Sequence, residues 1–262
     1  MPSAFLLDLD GTLYTQAGAI PGAPELVRAF RAKGVPFRLV TNTSSRPRRL
    51  LVERLHSYGF EVEAADIQTP IFTAVKLLTE RGHRRIAPFL PLGSLEDLTG
   101  LELAGGVAPS TEGGTPPTAV LVGDLGERWT YALLQEAFSL VMAGAELMAL
   151  SRDRFWQRAD GLALDAGPFV AALEYATTRS ATVAGKPSPE FFHAAAAGLP
   201  RPTDAASVEV VMVGDDLWSD VQGAQRAGYR GWLVRTGKFR EDQLGSSGVR
   251  PDRVLNSLAD LL

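Results

Sequence analysis

The sequence predicts an α/β protein, and three observations carry the prediction. Short apolar runs that break into polar turns recur at 5–8, 36–40, 119–123 and 208–213, and such runs read as buried strands. Segments with apolar residues at helical spacing, such as 25–33 and 131–143, lie between them. The stretch 69–183 is too long for a connection and patterned enough to fold in its own right. A chain of 262 residues with 45% hydrophobic content has material for one large core, or for a core domain with a second domain inserted.

The first strand runs through Phe5-Leu6-Leu7 to Asp8, then skips one residue to Asp10 and breaks at Gly11. Side chains two apart on an extended chain point the same way, so Asp8 and Asp10 share one small volume past the strand end. Two carboxylates that close repel, and a cation or a shared proton is expected between them. An all-oxygen site suits magnesium better than zinc. Taken alone, an Asp-x-Asp pair is more often a turn that caps the next segment.

Pro21-Gly22-Ala23-Pro24 makes a turn, and Leu26, Val27, Ala29 and Phe30 give the next segment a helical period closed by Gly34. The run 36–40 then opens into Thr41-Asn42-Thr43-Ser44-Ser45. Hydroxyls and an amide before a helix are good N-caps, and with the free N–H groups of a helix start they also suit an anion. Arg46 to Arg49 begin the next helix, as a solvated face or as a phosphate-steering patch, and that helix ends at Gly59. A helix over 71–81, a strand over 85–90, loops over 93–117, a strand over 119–123 and a helix over 131–143 follow. A strand over 147–150, a helix over 168–178 and a short strand over 181–184 complete the middle. No repeat of fixed period is present.

Gly185-Lys186 is not a nucleotide-binding P-loop, because Ser180 stands where a glycine is required and Pro187 where Ser or Thr is required. On its own Lys186 reads as a surface lysine. The run 208–213 repeats the design of the first strand and leads into Gly214-Asp215-Asp216-Leu217-Trp218-Ser219-Asp220. Asp220 faces back toward Asp215 if a helix starts here, although capping again explains an aspartate at this place. Two acidic strand ends and a lysine suggest a single metal and phosphate site. A last strand over 231–235 reaches Thr236-Gly237-Lys238-Phe239, and the tail reads as loop and a short closing helix.

Composition removes several classes of function. A formal net charge of −4 with 26 Lys and Arg offers no general attraction to nucleic acid or anionic lipid. The absence of cysteine excludes disulfides, thiolate catalysis and Cys-based metal sites. No apolar run approaches the roughly 20 residues of a membrane span, and with the first strand starting so early no signal peptide is expected. A cytoplasmic protein is expected. His56, His83 and His193 lack metal-ligand spacing.

Asp8-Leu9-Asp10-Gly11-Thr12-Leu13-Tyr14, Thr41, Gly185-Lys186-Pro187-Ser188-Pro189 and the Gly214–Asp220 stretch resemble, in order, the four motifs of the haloacid dehalogenase-type phosphatases. The resemblance implies a doubly wound parallel-sheet (Rossmann-like) core over 1–68 plus 184–262, with an α/β cap of the large type inserted over 69–183. It implies Asp8 as nucleophile and Asp10 as general acid and base, with Thr41, Asn42 and Lys186 on the substrate phosphoryl group. It also implies a Mg2+ ion held by Asp8, the Asp10 carbonyl and Asp215, with Asp220 in support. Asp10 favours phosphate chemistry over the dehalogenase and phosphonatase branches, which lack an acid there.

Asp160-Gly161-Leu162-Ala163-Leu164 and 167–176 are similar to the phospholysine/phosphohistidine inorganic pyrophosphate phosphatase and its near relatives. A small phosphorylated substrate follows, with pyrophosphate and N-phosphorylated compounds among the candidates. The segment 152–158, with Trp156 and Gln157, is either a cap loop over the substrate or an amphipathic edge strand. A homodimer through the cap is compatible with the resemblance. Two alternatives stay open: a phosphate-binding regulator without turnover, and a phosphotransferase of the same superfamily.

Overall fold

Both faces of the first strand, Ser3–Asp8, are apolar because both are covered. Phe5 and Leu7 pack against Leu26, Val27 and Phe30 of the helix Ala23–Ala32 and against Leu51 and Leu55 of the helix Arg48–Ser57. Ala4 and Leu6 face the opposite way, toward Phe191, Phe192 and Ala195 of the helix Pro189–Ala197. Burial on two sides is why this strand reads as a continuous apolar run rather than an alternating one. The computed structural model describes residues 3–108, 114–158, 161–199 and 208–262.

The chain forms two compact units. One holds Met1–Thr41, Arg49–Gln68 and Lys186–Leu262; the other holds Asn42–Arg48 and Thr69–Gly185. In the first, a six-stranded sheet runs Arg253–Leu255, Arg230–Val234, Glu209–Gly214, Ser3–Asp8, Phe37–Val40, Ile67–Gln68, and every neighbouring pair is parallel. The chain leaves the first strand toward Phe37–Val40 and leaves Glu209–Gly214 in the opposite direction, toward Arg230–Val234. The sheet is therefore doubly wound. Its two adjacent central strands form the switch point, where such sheets open a crevice beyond the carboxyl ends.

The second unit has its own parallel sheet, in the order Thr182–Val183, Glu146–Ala149, Ala119–Val122, Arg85–Phe89, Glu102–Leu103. Ile86, Leu121 and Met148 pack on one face with Ile71, Ala74 and Leu78 of the helix Pro70–Glu80. Val120, Val122 and Leu147 pack on the other with Ala137 and Val141 of the helix Tyr131–Met142 and Val170 and Leu173 of the helix Ala166–Thr177. A two-stranded antiparallel hairpin, Phe155–Arg158 with Gly161–Leu164, belongs to this unit.

The structure departs from the sequence reading, or adds to it, in several places. The stretch 93–117 is not loop throughout: Leu92–Asp97 is a 3-10 helix and Glu102–Leu103 an edge strand, while 109–113 lie outside the described residues. The C-terminal tail contributes the edge strand Arg253–Leu255 before its closing 3-10 helix Leu258–Leu261. Within the segment 152–158, Phe155–Arg158 form a hairpin strand. Strands this short carry too few residues for a period to show, and their partners are remote in sequence. No helix among the described residues is long and apolar enough to cross a membrane.

Candidate active site

Register brings the acidic strand ends to one level. Leu7 pairs with Val213, so Asp8 and Asp215 emerge at the same edge of the sheet, and Asp8 pairs with Val40, which sets Thr41 one residue past the neighbouring strand. Lys186 enters from the turn before Pro189–Ala197, and its Nζ donates to Asp8 Oδ1 at 2.5 Å and to Asp220 Oδ1 at 2.6 Å. Asp220 arrives on a π-helical turn, Leu217–Gln222, whose start is capped by Asp216 accepting from the N–H groups of Trp218 and Ser219. One carboxylate oxygen from each of Asp8, Asp215 and Asp220 lies within 4.8 Å of the others. All three acids and Lys186 are buried.

The charges here do not balance. Three buried carboxylates face one buried ammonium, which leaves about two negative charges without a counter-ion in a low-dielectric setting. Burial pushes the Asp8 carboxyl above its ordinary range against the pull of Lys186. Burial, with Asp8 and Asp220 nearby, pushes Asp215 up to about 8. Burial also lifts Asp220 to about 7, over the opposing pull of Lys186. Burial alone would lower the Lys186 ammonium, but the charges of Asp220 and Asp8 outweigh it and hold the group protonated. Asp216 differs: burial acts upward on it, but Lys238 and the capped N–H groups bring it below the usual carboxylate range.

This donor set fits a hard divalent cation. It is all oxygen, buried and short of positive charge. Hydrogen bonds use both oxygens of Asp220, to Lys186 and to the Asp216 N–H, while Asp8 uses Oδ1 and Asp215 uses Oδ2. The opposite oxygens of Asp8 and Asp215 carry no hydrogen bond among the described residues.

The folded values of about 8 and about 7 lie above the 3.8 of a free carboxyl, so between those limits the folded chain holds more protons than the unfolded one. Metal-free stability contributed by these groups is present below pH 3.8 and is lost as pH rises toward 8. Magnesium competes with those protons. Stabilisation by magnesium, read as a rise in melting temperature, should grow with pH across that window, and it is worth roughly 2.7 kcal/mol where magnesium stands at a hundredfold excess over its dissociation constant. A magnesium effect that is flat with pH contradicts the reading.

The other sequence candidates divide. Asp10 lies exposed beyond the strand, and its Oδ2 accepts from the Tyr14 hydroxyl at 3.3 Å. Thr41 is buried, and its N–H donates to the Gln68 carbonyl at 3.2 Å. Asn42 belongs to the second unit, where its Nδ2 donates to Asp153 Oδ2 at 3.0 Å. Trp156 lies in the hairpin, half exposed, beside a groove of ≈ 480 Å³ with Phe169 and Arg128. Gln157 is in the same strand, opposite Leu162, and its side chain lies outside the described residues.

Tyr14 and Lys238 were not singled out from the sequence. Tyr14 stood in the first motif without a role, and Lys238 in a turn that no period marks. The backbone N–H of Lys238 donates to Asp215 Oδ2 at 2.7 Å, and its Nζ reaches Asp216 Oδ2 at 3.1 Å.

The chain is similar to known proteins over most of its length. A haloacid dehalogenase-like hydrolase family model matches residues 5–105, and a second, HAD-hydrolase-like, model matches residues 183–261. The rat haloacid dehalogenase-like hydrolase domain-containing protein 2 is 42% identical over 239 residues, covering 90% of this chain and 85% of the relative. The human phospholysine phosphohistidine inorganic pyrophosphate phosphatase is 34% identical over 263 residues, covering 97% of this chain and 91% of that protein. Among solved structures, a glycerol phosphate phosphatase from Mycobacterium tuberculosis in complex with magnesium superposes with a TM-score of 0.85 at 27% identity, covering 99% of this chain and 76% of the other.

Proposed function

The chain belongs to the haloacid dehalogenase-like hydrolases and is a phosphatase of that family, and from that premise we propose a magnesium-dependent enzyme that hydrolyses small phosphorylated metabolites through an aspartyl-phosphate on Asp8. The observation that carries the reading is the buried group of Asp8, Lys186, Asp215 and Asp220, drawn from three separate parts of the chain. A phosphate-binding protein without turnover has no use for a second acid beside the first; Asp10 supplies it.

In this mechanism Asp8 attacks phosphorus, forming an Oδ–P bond as the P–O bond to the leaving group breaks. Asp10 gives its proton to that departing oxygen, then takes one from the water that attacks the acyl phosphate. The water's oxygen becomes part of inorganic phosphate, and Asp8 is regenerated as a carboxylate. Tyr14, hydrogen-bonded to Asp10, orients the acid. Lys186 holds Asp8 and offsets the charge of the phosphoryl oxygens, and Thr41 and Asn42 are assigned to those oxygens. Asp8, the Asp10 carbonyl and Asp215 would hold magnesium, which supplies charge neutralisation to the transferring group.

Pyrophosphate and N-phosphorylated compounds are proposed among these substrates, supported by the similarity to the human pyrophosphate phosphatase. Trp156 and Gln157 are proposed to contact the leaving group. A cytoplasmic setting is carried over from the sequence. So is a homodimer through the cap, for which the exposed Phe155, Leu162 and Leu164 of the hairpin offer an apolar face.

Hydrolysis of p-nitrophenyl phosphate with and without magnesium tests the activity. Turnover should require the ion and should yield inorganic phosphate even with added alcohol. Metal-independent turnover would remove the proposal, and phosphate passed to the alcohol would make the chain a transferase.

A further inference from the structure

Two loops from different strand ends converge on Oδ2 of Asp215. The N–H of Lys238 donates to it at 2.7 Å. Gly11 and Gly237 pass so close that a Cβ on either would overlap this oxygen, and both hold a left-handed backbone, with φ of +85° and +58°. Only glycine takes that conformation without strain while leaving room for the carboxylate. Thr236 Oγ1 donates to the Gly11 carbonyl at 2.6 Å, which ties the later loop to the turn after the first strand. The Lys238 ammonium bonds Asp216 instead, at 3.1 Å, so the side chain anchors the loop while the backbone meets Asp215.

None of Gly11, Thr236, Gly237 or Lys238 contributes an oxygen to the acid cluster. Their effect is on orientation. A carboxylate that rotates freely must be ordered when an ion binds, whereas one already held in place avoids that cost. The contact with Lys238 also commits Oδ2 to the loop.

We propose that Thr236–Lys238 is a clasp that sets the affinity of the site for its divalent cation by holding the Asp215 carboxylate in one orientation, through the Lys238 N–H and the Thr236–Gly11 bond. Thr236 and Lys238 are positioning residues, and the inference rests on the magnesium reading above.

Calorimetric titration of the whole protein with magnesium tests it, alongside the melting temperature without metal. Thr236→Val, which keeps shape and loses the hydroxyl, should weaken magnesium binding about tenfold, within the roughly 10- to 100-fold range of lost outer-shell partners. Thr236→Ser should restore it. Gly237→Ala should weaken binding by at least as much, by displacing the carboxylate. Thr236→Val binding magnesium as tightly as the parent overturns the clasp, as does Thr236→Ser binding as weakly as Thr236→Val. A loss confined to metal-free melting temperature assigns the loop to folding alone and also overturns it. Failure of the unaltered protein to bind magnesium is read separately, and it removes the metal reading itself.

Discussion

Asp8→Asn is expected to abolish turnover, by at least about 10⁴-fold, the scale on which single members of a nucleophilic unit act. The amide is nearly isosteric and still offers an oxygen to Lys186, so the hydrogen bond from Nζ has an acceptor. The variant removes one of three acids from a buried group short of positive charge, so its metal-free stability should equal or exceed that of the parent. Folding and chemistry therefore separate in this one substitution. Assay of p-nitrophenyl phosphate hydrolysis and a thermal melt check it together. Full activity would discard Asp8 as nucleophile.

The second large effect is on stability. Lys186 is 4% exposed and is shared between Asp8 and Asp220. Lys186→Met keeps the stem and removes the charge, leaving both acids buried without it. Breaking a buried pair in this way costs about 3–5 kcal/mol, which for a chain of this size corresponds to a fall in melting temperature of roughly 6–20 °C. Adding Asp220→Asn should return part of that loss, because it removes one of the stranded charges. Activity should fall by roughly 100- to 1,000-fold or more with the loss of a phosphoryl-binding cation. Urea unfolding of the single and double variants measures the first effect. A loss below about 1 kcal/mol, the range of exposed pairs, would show that the ammonium is not held as described.

Much of this was legible in the amino-acid order because it is local. Phe5-Leu6-Leu7-Asp8 and Val211-Met212-Val213-Gly214-Asp215 each record burial on both faces and then an abrupt exit, and that change of character lies within a few residues. The helices over 70–80 and 131–142 were visible for the same reason, their apolar residues recurring over three turns. What stayed hidden depends on contacts between distant residues. Ile67–Gln68 and Arg253–Leu255 are strands only because a neighbour supplies their hydrogen bonds. Lys238 meets Asp215 through a main-chain N–H, which leaves no trace in residue identity. Gly11 and Gly237 were readable as turn residues, but their shared close approach to one carboxylate arises only when two strand ends meet.

Asp8 as the atom that takes the phosphoryl group is the claim on which the rest depends, and chemical trapping addresses it directly. Steady-state turnover would be quenched and treated with borohydride, which reduces an acyl phosphate but not a free carboxylate, and the peptides mapped by mass. A reduced residue is expected at position 8 and at no other acid, formed only when substrate and magnesium are both present. Sustained hydrolysis with position 8 recovered as unmodified aspartate would contradict it.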